Sequence, residues 1–314
     1  MRYFHFSCIK CGAALTQPRN VKECTMSSPQ EKRNLALLAG GIGLLLAGIA
    51  LPVQAAIIAY EPFAGTAGEL AGQVTGGSGF GGAWTGPTGV DTVVNDNAGL
   101  EYTDANGHAL VQSGYSVNVK AAKQGTISSG VQRAFTAAIP DSGTYYVSAV
   151  IYVGTVLANN YFGFGLPGTN GKIVLGQSST DWSIYNWDTS GPVAPIVGTN
   201  RAMAFLVAKI TKGSVPGQSA VTLWVNPILG NEIASGTGTT GTVDNNSTWT
   251  GISTPVYTQH TDHDGNIIDP SNYMADVRVG ETFADVTPFA AIPEPASLAL
   301  LGLGALAFLR RRRA

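Results

Sequence analysis

Across residues 56–292 no stretch shows the apolar repeat every three to four positions that an amphipathic helix needs. Short β-branched and aromatic runs recur instead between clusters of Gly, Asn, Asp and Pro. This pattern confines the region to an all-β fold. The run 144–156, TYYVSAVIYVGTV, is apolar in both registers and predicts a central strand buried on two faces. Residues 202–210 (AMAFLVAKI) and 220–225 (AVTLWV) predict two strands joined through the turn-rich stretch 211–219. In the second of these, Val221, Leu223 and Val225 share one face, and Thr222 and Trp224 the other. Residues 110–119 alternate weakly, 276–279 (DVRV) read as a short late strand, and the Gly-rich stretches 76–89 and 236–241 read as loops. Antiparallel strands without intervening helices make a β-sandwich or a barrel. The irregular run lengths disfavour a membrane barrel.

Charge narrows the partners. Only 12% of the 314 residues are charged, about half the share of ~25% in ordinary soluble domains. Eight basic against seventeen acidic residues leave residues 56–292 at −9. Such a domain repels phosphate backbones, so no nucleic acid is expected as a partner. A hydrophobic content of 44% is enough for a packed core and argues against disorder. All three cysteines, Cys8, Cys11 and Cys24, precede Met26. Cys8 and Cys11 form a C-x-x-C, but no second pair follows to complete a four-cysteine zinc site. The domain itself is expected to hold together through its core, without disulfides.

The two ends read as addresses. Residues 1–25 are an N-terminal extension ahead of an alternative start at Met26. From there, Lys32 and Arg33 precede an uninterrupted apolar run, 35–51, broken by Pro52. Small residues at Val53 and Ala55 then predict signal-peptide cleavage between Ala55 and Ala56. Residues 26–55 are therefore expected to be an export signal helix handled by the Sec translocon. At the other end, Pro293, Glu294 and Pro295 precede the apolar run 296–309 and the cluster Arg310, Arg311, Arg312 and Arg313. Fourteen residues as a helix span about 21 Å, short of the ~30 Å hydrocarbon core. The arginines stay on the cytoplasmic side and halt translocation. The prediction is a C-terminal hydrophobic transmembrane helix that inserts transiently.

Residues 293–314 resemble the PEP-CTERM sorting signal of Gram-negative bacteria with an exopolysaccharide. The resemblance rests on Pro293, Glu294, Pro295, the apolar run and the arginine cluster. It implies recognition and cleavage by an exosortase, with delivery to the cell envelope, the cell surface or the extracellular matrix.

A second resemblance covers most of residues 56–292. Tyr60-Glu61-Pro62-Phe63, Gly72, Gly76-Gly77-Ser78-Gly79-Phe80 and Trp84 are similar to the opening of LamG-like, concanavalin A-like domains. Phe205 to Ile210, Val221 to Pro227, Asp276 to Gly280 and Phe283 to Val286 continue it. The resemblance implies a jelly-roll β-sandwich of two antiparallel sheets, with the first and last strands close together. That fold hosts lectins and glucanases alike and does not decide function.

Chemistry is sparse. Glucanases of this fold resemble one another in a Glu-x-Asp-x-x-Glu strand motif, which would bring two carboxylates to one face. The domain's glutamates are Glu61, Glu69, Glu101, Glu232 and Glu281, and none has an aspartate two residues on. No G-x-S-x-G nucleophile elbow occurs, and His108, His260 and His263 are the only histidines available to a triad in the domain. No catalytic residue is assigned. Asp262, Asp264 and Asn266 have the alternate spacing of a calcium loop. Gly265 comes one place early for an EF-hand, and a solvated hairpin tip is the competing reading. Ca2+ is the one cofactor such a loop would take, and none is otherwise expected. Trp182, Tyr185, Trp187 and Asp188 are the candidate carbohydrate contacts. As a strand, 182–188 puts Trp182 and Trp187 on opposite faces, so at least one packs in the core. The expected function is a non-catalytic exported surface or matrix protein that binds polysaccharide. The alternatives are a secreted carbohydrate-active enzyme and a purely structural coat protein.

Overall fold

The computed structural model describes residues 57–88, 91–94, 100–119, 130–154, 161–169, 171–178, 181–186, 196–197, 203–215, 218–243, 247–257 and 272–289. All belong to the unit that runs from Ala55 to Ala314. The signal segment, the cleavage point Ala55–Ala56 and the sorting tail lie outside the described residues. So do Trp187, Asp188, His260, Asp262, His263, Asp264 and Asn266.

Sixteen strands and one four-residue helix are found among the described residues. In chain order they are β1 (Ile57–Glu61), β2 (Gly68–Glu69), β3 (Asp91–Val94), β4 (Ser116–Val119), β5 (Gln132–Ile139), β6 (Gly143–Tyr152), β7 (Tyr161–Gly168) and β8 (Gly171–Ser178). There follow β9 (Asp181–Asn186), β10 (Ile196–Val197), β11 (Met203–Val215), β12 (Gln218–Val225), β13 (Thr239–Val243), β14 (Trp249–Ser253), β15 (Val256–Tyr257), β16 (Asn272–Gly280) and α1 (Phe283–Val286). One sheet has nine strands in the order β13-β12-β11-β6-β16-β4-β3-β2, with β1 also on β16. The other has seven in the order β10-β9-β8-β7-β14-β5, with β15 on β7. Every pairing is antiparallel. The chain shuttles between the sheets, from β4 to β5 to β6 to β7, and the first strand closes on the last. This is the jelly-roll sandwich that the LamG-like resemblance implies.

Alternation assigns the layers. Val147, Ala149 and Ile151 of β6, Leu206, Ala208 and Ile210 of β11, and Val221 and Leu223 of β12 point between the sheets. There they meet Phe162, Phe164 and Leu166 of β7, Ile173 and Leu175 of β8, and Trp182 and Ile184 of β9. The opposite face of the nine-stranded sheet carries a second apolar cluster. Tyr146, Val150, Phe205, Val207 and Trp224 are covered there by Leu100, Tyr102, Leu110, Leu229, Phe283 and Val286. β6 is apolar in both registers because it sits between two cores.

Three expectations change in detail. β11 does not end at Ile210. Thr211 and Lys212 stay paired with Thr144 and Gly143 of β6 and with Ala220 and Ser219 of β12. The late strand is nine residues long, because Asn272, Tyr273 and Met274 pair with β4 before the DVRV segment pairs with β1. The glycine segment 76–80 is also no open loop. Ser78 and Tyr60 exchange both backbone hydrogen bonds at 3.0 Å, which lays this segment along β1. Gly77 and Gly79 flank that bridge with φ of 79° and 80°. A Cβ on either would overlap a β1 carbonyl oxygen, of Tyr60 and Ile58 respectively. Side chains are disfavoured at such φ, and here backbone stands in the way as well. Gly79→Ala is expected to cost at least about 2 kcal/mol, read from the denaturation midpoint.

α1 is too short to stand on its own propensity and is set by a capping box. Asp285 Nα donates to Thr282 Oγ1 at 3.3 Å, and Asp285 Oδ2 accepts from the backbone N–H of Thr282 at 2.7 Å. This turns the chain back over the second core, so that Phe283 meets Tyr146 and Trp224 edge-on.

Candidate functional site

Of the candidate carbohydrate contacts, Trp182 and Tyr185 fall on β9 of the seven-stranded sheet. With Phe162, Phe164, Leu166, Ile173, Leu175, Trp182 and Ile184 turned inward, the period of two turns Gly163, Gly165, Lys172, Val174, Gly176, Ser183 and Tyr185 outward. Trp182 is thus a core residue, 3% exposed, and is corrected from a sugar contact to inter-sheet packing. Tyr185 lies on the outer face, though it is equally buried.

Registry places Ser253, Gly165, Val174 and Tyr185 in one row across β14, β7, β8 and β9. The next row holds Gly163, Gly176 and Ser183. The floor is therefore mostly backbone. The Lys172 side chain crosses Gly165, where a Cβ would sit 2.5 Å from Ser253 Oγ and 2.8 Å from Lys172 Cδ. Ser183 Oγ and Ser253 Oγ are buried and have no hydrogen-bond partner among the described residues. Buried hydroxyls normally find one, so this face holds unspent polar capacity. Within the described strands of this sheet, Asp181 is the single carboxylate.

Two buried charge networks flank β1. On its inner face Glu61 pairs with Arg133 of β5, linking the two sheets. The Glu61 carboxylate also accepts from Thr75 Oγ1 at 2.6 Å and from the Phe63 N–H at 2.7 Å. Trp84 Nε1 donates to Thr75 Oγ1 at 2.9 Å. Burial pushes the Glu61 carboxyl up, and Thr75 and Arg133 oppose that shift. On the other face Asp276 accepts from Tyr60 Oη at 2.6 Å and from the Ser113 N–H at 3.0 Å, with Arg278 at 3.5 Å. Burial likewise raises Asp276, and it lowers Arg278. Sequence reasoning did not single out these groups as interacting. Each network joins residues far apart in the chain.

His108 belongs to a different arrangement. Asp104 accepts from the backbone N–H groups of Asn106 at 2.8 Å, His108 at 2.9 Å and Leu229 at 2.9 Å, and contacts His108 Nδ1 at 3.0 Å. Burial would raise its carboxyl, but these donors hold it below the usual range. The pair ties loop to loop. Among the described residues no three His, Cys, Asp or Glu side chains cluster as a metal site.

Lys212 is buried in the interior. Its Nζ donates to the carbonyls of Pro140 at 2.6 Å and Ser247 at 2.8 Å, and lies 3.7 Å from the centre of the Trp249 ring. Burial pulls the ammonium down to about 7, with Asp141 acting the other way. The unfolded lysine titrates near 10.4. Between the two values the unfolded chain holds the proton and the folded chain does not, so stability rises with pH across that window. The rise is expected to reach up to about 4 kcal/mol and to vanish in Lys212→Met, as read by urea unfolding from pH 7 to 10.

The fold is an all-β jelly-roll sandwich of two antiparallel sheets. Residues 291–313 match the PEP-CTERM protein-sorting motif. The chain therefore carries the signature of an exported, envelope-sorted exosortase substrate. Among the described residues no helix is long and apolar enough to cross a membrane. The two predicted apolar segments, 35–51 and 296–309, fall outside those residues. No curated protein has a sequence that matches this one. Solved structures give distant likenesses. A glycosyl hydrolase family protein from Mycobacterium fortuitum is 12% identical, with a TM-score of 0.36 over 71% of this chain and 99% of that one. A GH131 beta-glucanase catalytic domain from Podospora anserina is 9% identical, with a TM-score of 0.36 over 63% and 82%. An alginate lyase from Corynebacterium sp. is 11% identical, with a TM-score of 0.32 over 58% and 81%. Likeness at this level assigns no chemistry to this chain.

Proposed function

We propose that the protein is a non-catalytic component of the cell surface or extracellular matrix, delivered by exosortase sorting, and that it meets polysaccharide on the outer face of its seven-stranded sheet. The observation that carries the reading is the sorting motif at 291–313 directly behind a sandwich domain. Two features of the sheet support the finer part. Its described strands offer one carboxylate, Asp181, where a glycosidase needs two acids on facing positions. The same face carries the hydroxyls of Ser183 and Ser253, which are buried and without a hydrogen-bond partner among the described residues, and a sugar hydroxyl reaching them would supply one. Trp187 and Asp188, the other two candidate contacts, follow β9 in the sequence and lie outside the described residues.

The sorting part is tested in a bacterium that has an exosortase and an exopolysaccharide. Changing Pro293, Glu294 and Pro295 together to alanine is expected to leave the chain unprocessed. Mass spectrometry should then recover the C-terminal arginines intact, with at least a tenfold drop in surface-exposed protein. Equal processing of the variant would refute exosortase recognition. The binding part is tested by retention on the same cells' exopolysaccharide, with and without calcium. Loss of retention in Trp187→Ala is expected, and turnover of the polysaccharide would refute the non-catalytic role.

A further inference from the structure

We propose that the face formed by residues 100–111, 229–236 and 286–289 is the side that the folded domain turns to the lipid bilayer while its sorting tail is still attached. The inference rests on the sorting reading above. It adds an orientation and a contact surface.

The last described residues are pinned to the domain. The Val111 N–H donates to the Pro288 carbonyl at 2.9 Å, and Leu110 bridges Phe289. The Gly230 N–H donates to Thr287 Oγ1 at 2.9 Å. The Phe289 ring fills the space that a side chain at Gly230 would take, and it stacks on His108 at 4.7 Å. Five large apolar side chains are exposed among the described residues: Ile57, Val74, Val111, Ile233 and Phe289. Three of them lie on this face. Val111 is 47% exposed, Phe289 39% and Ile233 93%. Ile233 tops a turn closed by Ser235 Oγ, which donates to the carbonyls of Ile228 at 3.0 Å and Asn231 at 2.8 Å. A rigid turn holding a bare isoleucine in water gains nothing for the fold itself.

Tether length selects the occupant. Six residues, 290–295, and so seven Cα-to-Cα steps, separate Phe289 from Ala296, the start of the apolar run. Fully extended they reach about 25 Å, whereas a domain of this size is about 45 Å across. With the run in the membrane, the opposite side of the sandwich cannot face the lipid, and the face around Phe289 must. The chemistry fits a neutral interface rather than an anionic one. The neighbouring cation, Lys209, is paired with Glu232 at 3.0 Å, and Glu232 also accepts from Tyr146 Oη at 2.8 Å. Contact is therefore apolar and does not need acidic lipids.

The test uses the signal-cleaved chain, Ala56 to Ala314, in phosphatidylcholine vesicles; it has no cysteine of its own. A fluorophore is attached at Ile233→Cys or, on the exposed outer side of β5, at Thr136→Cys. Lipids carrying a nitroxide quencher are expected to quench the label at 233 at least threefold more than the label at 136. Adding phosphatidylglycerol is expected to leave the ratio unchanged. Equal quenching in chain that floats with the vesicles overturns the proposal alone. Chain that does not float overturns the tail reading, and the proposal with it. A label at 233 that escapes lipid quenching but becomes shielded when purified exosortase is added assigns the face to the enzyme and overturns the lipid contact.

Discussion

Replacing Arg133 by methionine is expected to cost about 3–5 kcal/mol of folding stability at pH 7. Glu61 is fully buried, and Arg133 brings the one positive charge to it. The guanidinium is itself well used. Nε donates to the Gly82 carbonyl at 2.9 Å, Nη1 to the Gly76 carbonyl at 2.9 Å, and the group lies 4.9 Å from the Phe80 ring centre. Methionine keeps much of the volume but leaves a buried carboxylate with only the Thr75 hydroxyl and the Phe63 N–H. The carboxyl then holds its proton to higher pH, while the unfolded glutamate titrates near 4.3. A folded state that binds more protons than the unfolded one loses stability as pH rises. The deficit of Arg133→Met should therefore shrink between pH 7 and pH 5. Glu61→Gln combined with Arg133→Met should recover at least half of it at pH 7. The amide still accepts from Phe63, and no unpaired charge remains. Denaturant unfolding of the wild type, Arg133→Met and the double variant at both pH values decides this. A single-variant cost below about 1 kcal/mol would mean that water reaches the pair.

What could be read from the sequence follows from where periodicity carries information. β6 and β12 were legible, since a strand between two cores shows itself as apolar in both registers, and Val221, Leu223 and Trp224 sort by alternation onto the faces where they are found. The end of β11 was not. Lys212, among turn-forming residues, looks like a surface charge, and only Pro140, Ser247 and Trp249, 35 to 72 residues away, account for its burial. The glycines at 77 and 79 announced irregular backbone but not the strand they lie against. The second core was hidden because its cover comes from two loops and the short helix α1, which share no period with the sheet.

The LamG-like segments gain a physical meaning in the fold. Tyr60 pairs with Ser78 on one side and with Arg278 on the other, and Phe283 to Val286 form the helix that follows. These short matches are the closure of the sandwich, where the first and last strands meet. For the candidate site, strand period makes Ser183 and Tyr185 share the face opposite Trp182, but which face turns outward is fixed only by the packing of the two sheets. Trp182 turns inward and is one tryptophan that packs the core, as alternation required of at least one of the pair.

Asp276→Ala is expected to be the most damaging change on the other face of β1, at about 4 kcal/mol or more. Asp276 sits at a bulge, where β16 slips register against β6, with φ of 52°. Alanine pays for that left-handed backbone, about 1–2 kcal/mol, which aspartate and asparagine tolerate better. The substitution also strips the acceptor from Tyr60 Oη and the Ser113 N–H. The buried Arg278 guanidinium is then left with the carbonyls of Val111 and residue 276. Asp276→Asn separates the two contributions. It keeps the backbone preference and a carbonyl oxygen for Tyr60 and Ser113, and loses only the charge facing Arg278. Its cost should be roughly half that of alanine. Asp276→Gly, which relieves the backbone but supplies no acceptor, should fall near the alanine value less the left-handed cost. If asparagine proves as damaging as alanine, the charge is the dominant contribution. If glycine proves harmless, the bulge is held by its neighbours, and the Tyr60–Asp276–Arg278 network contributes little to closing the sandwich.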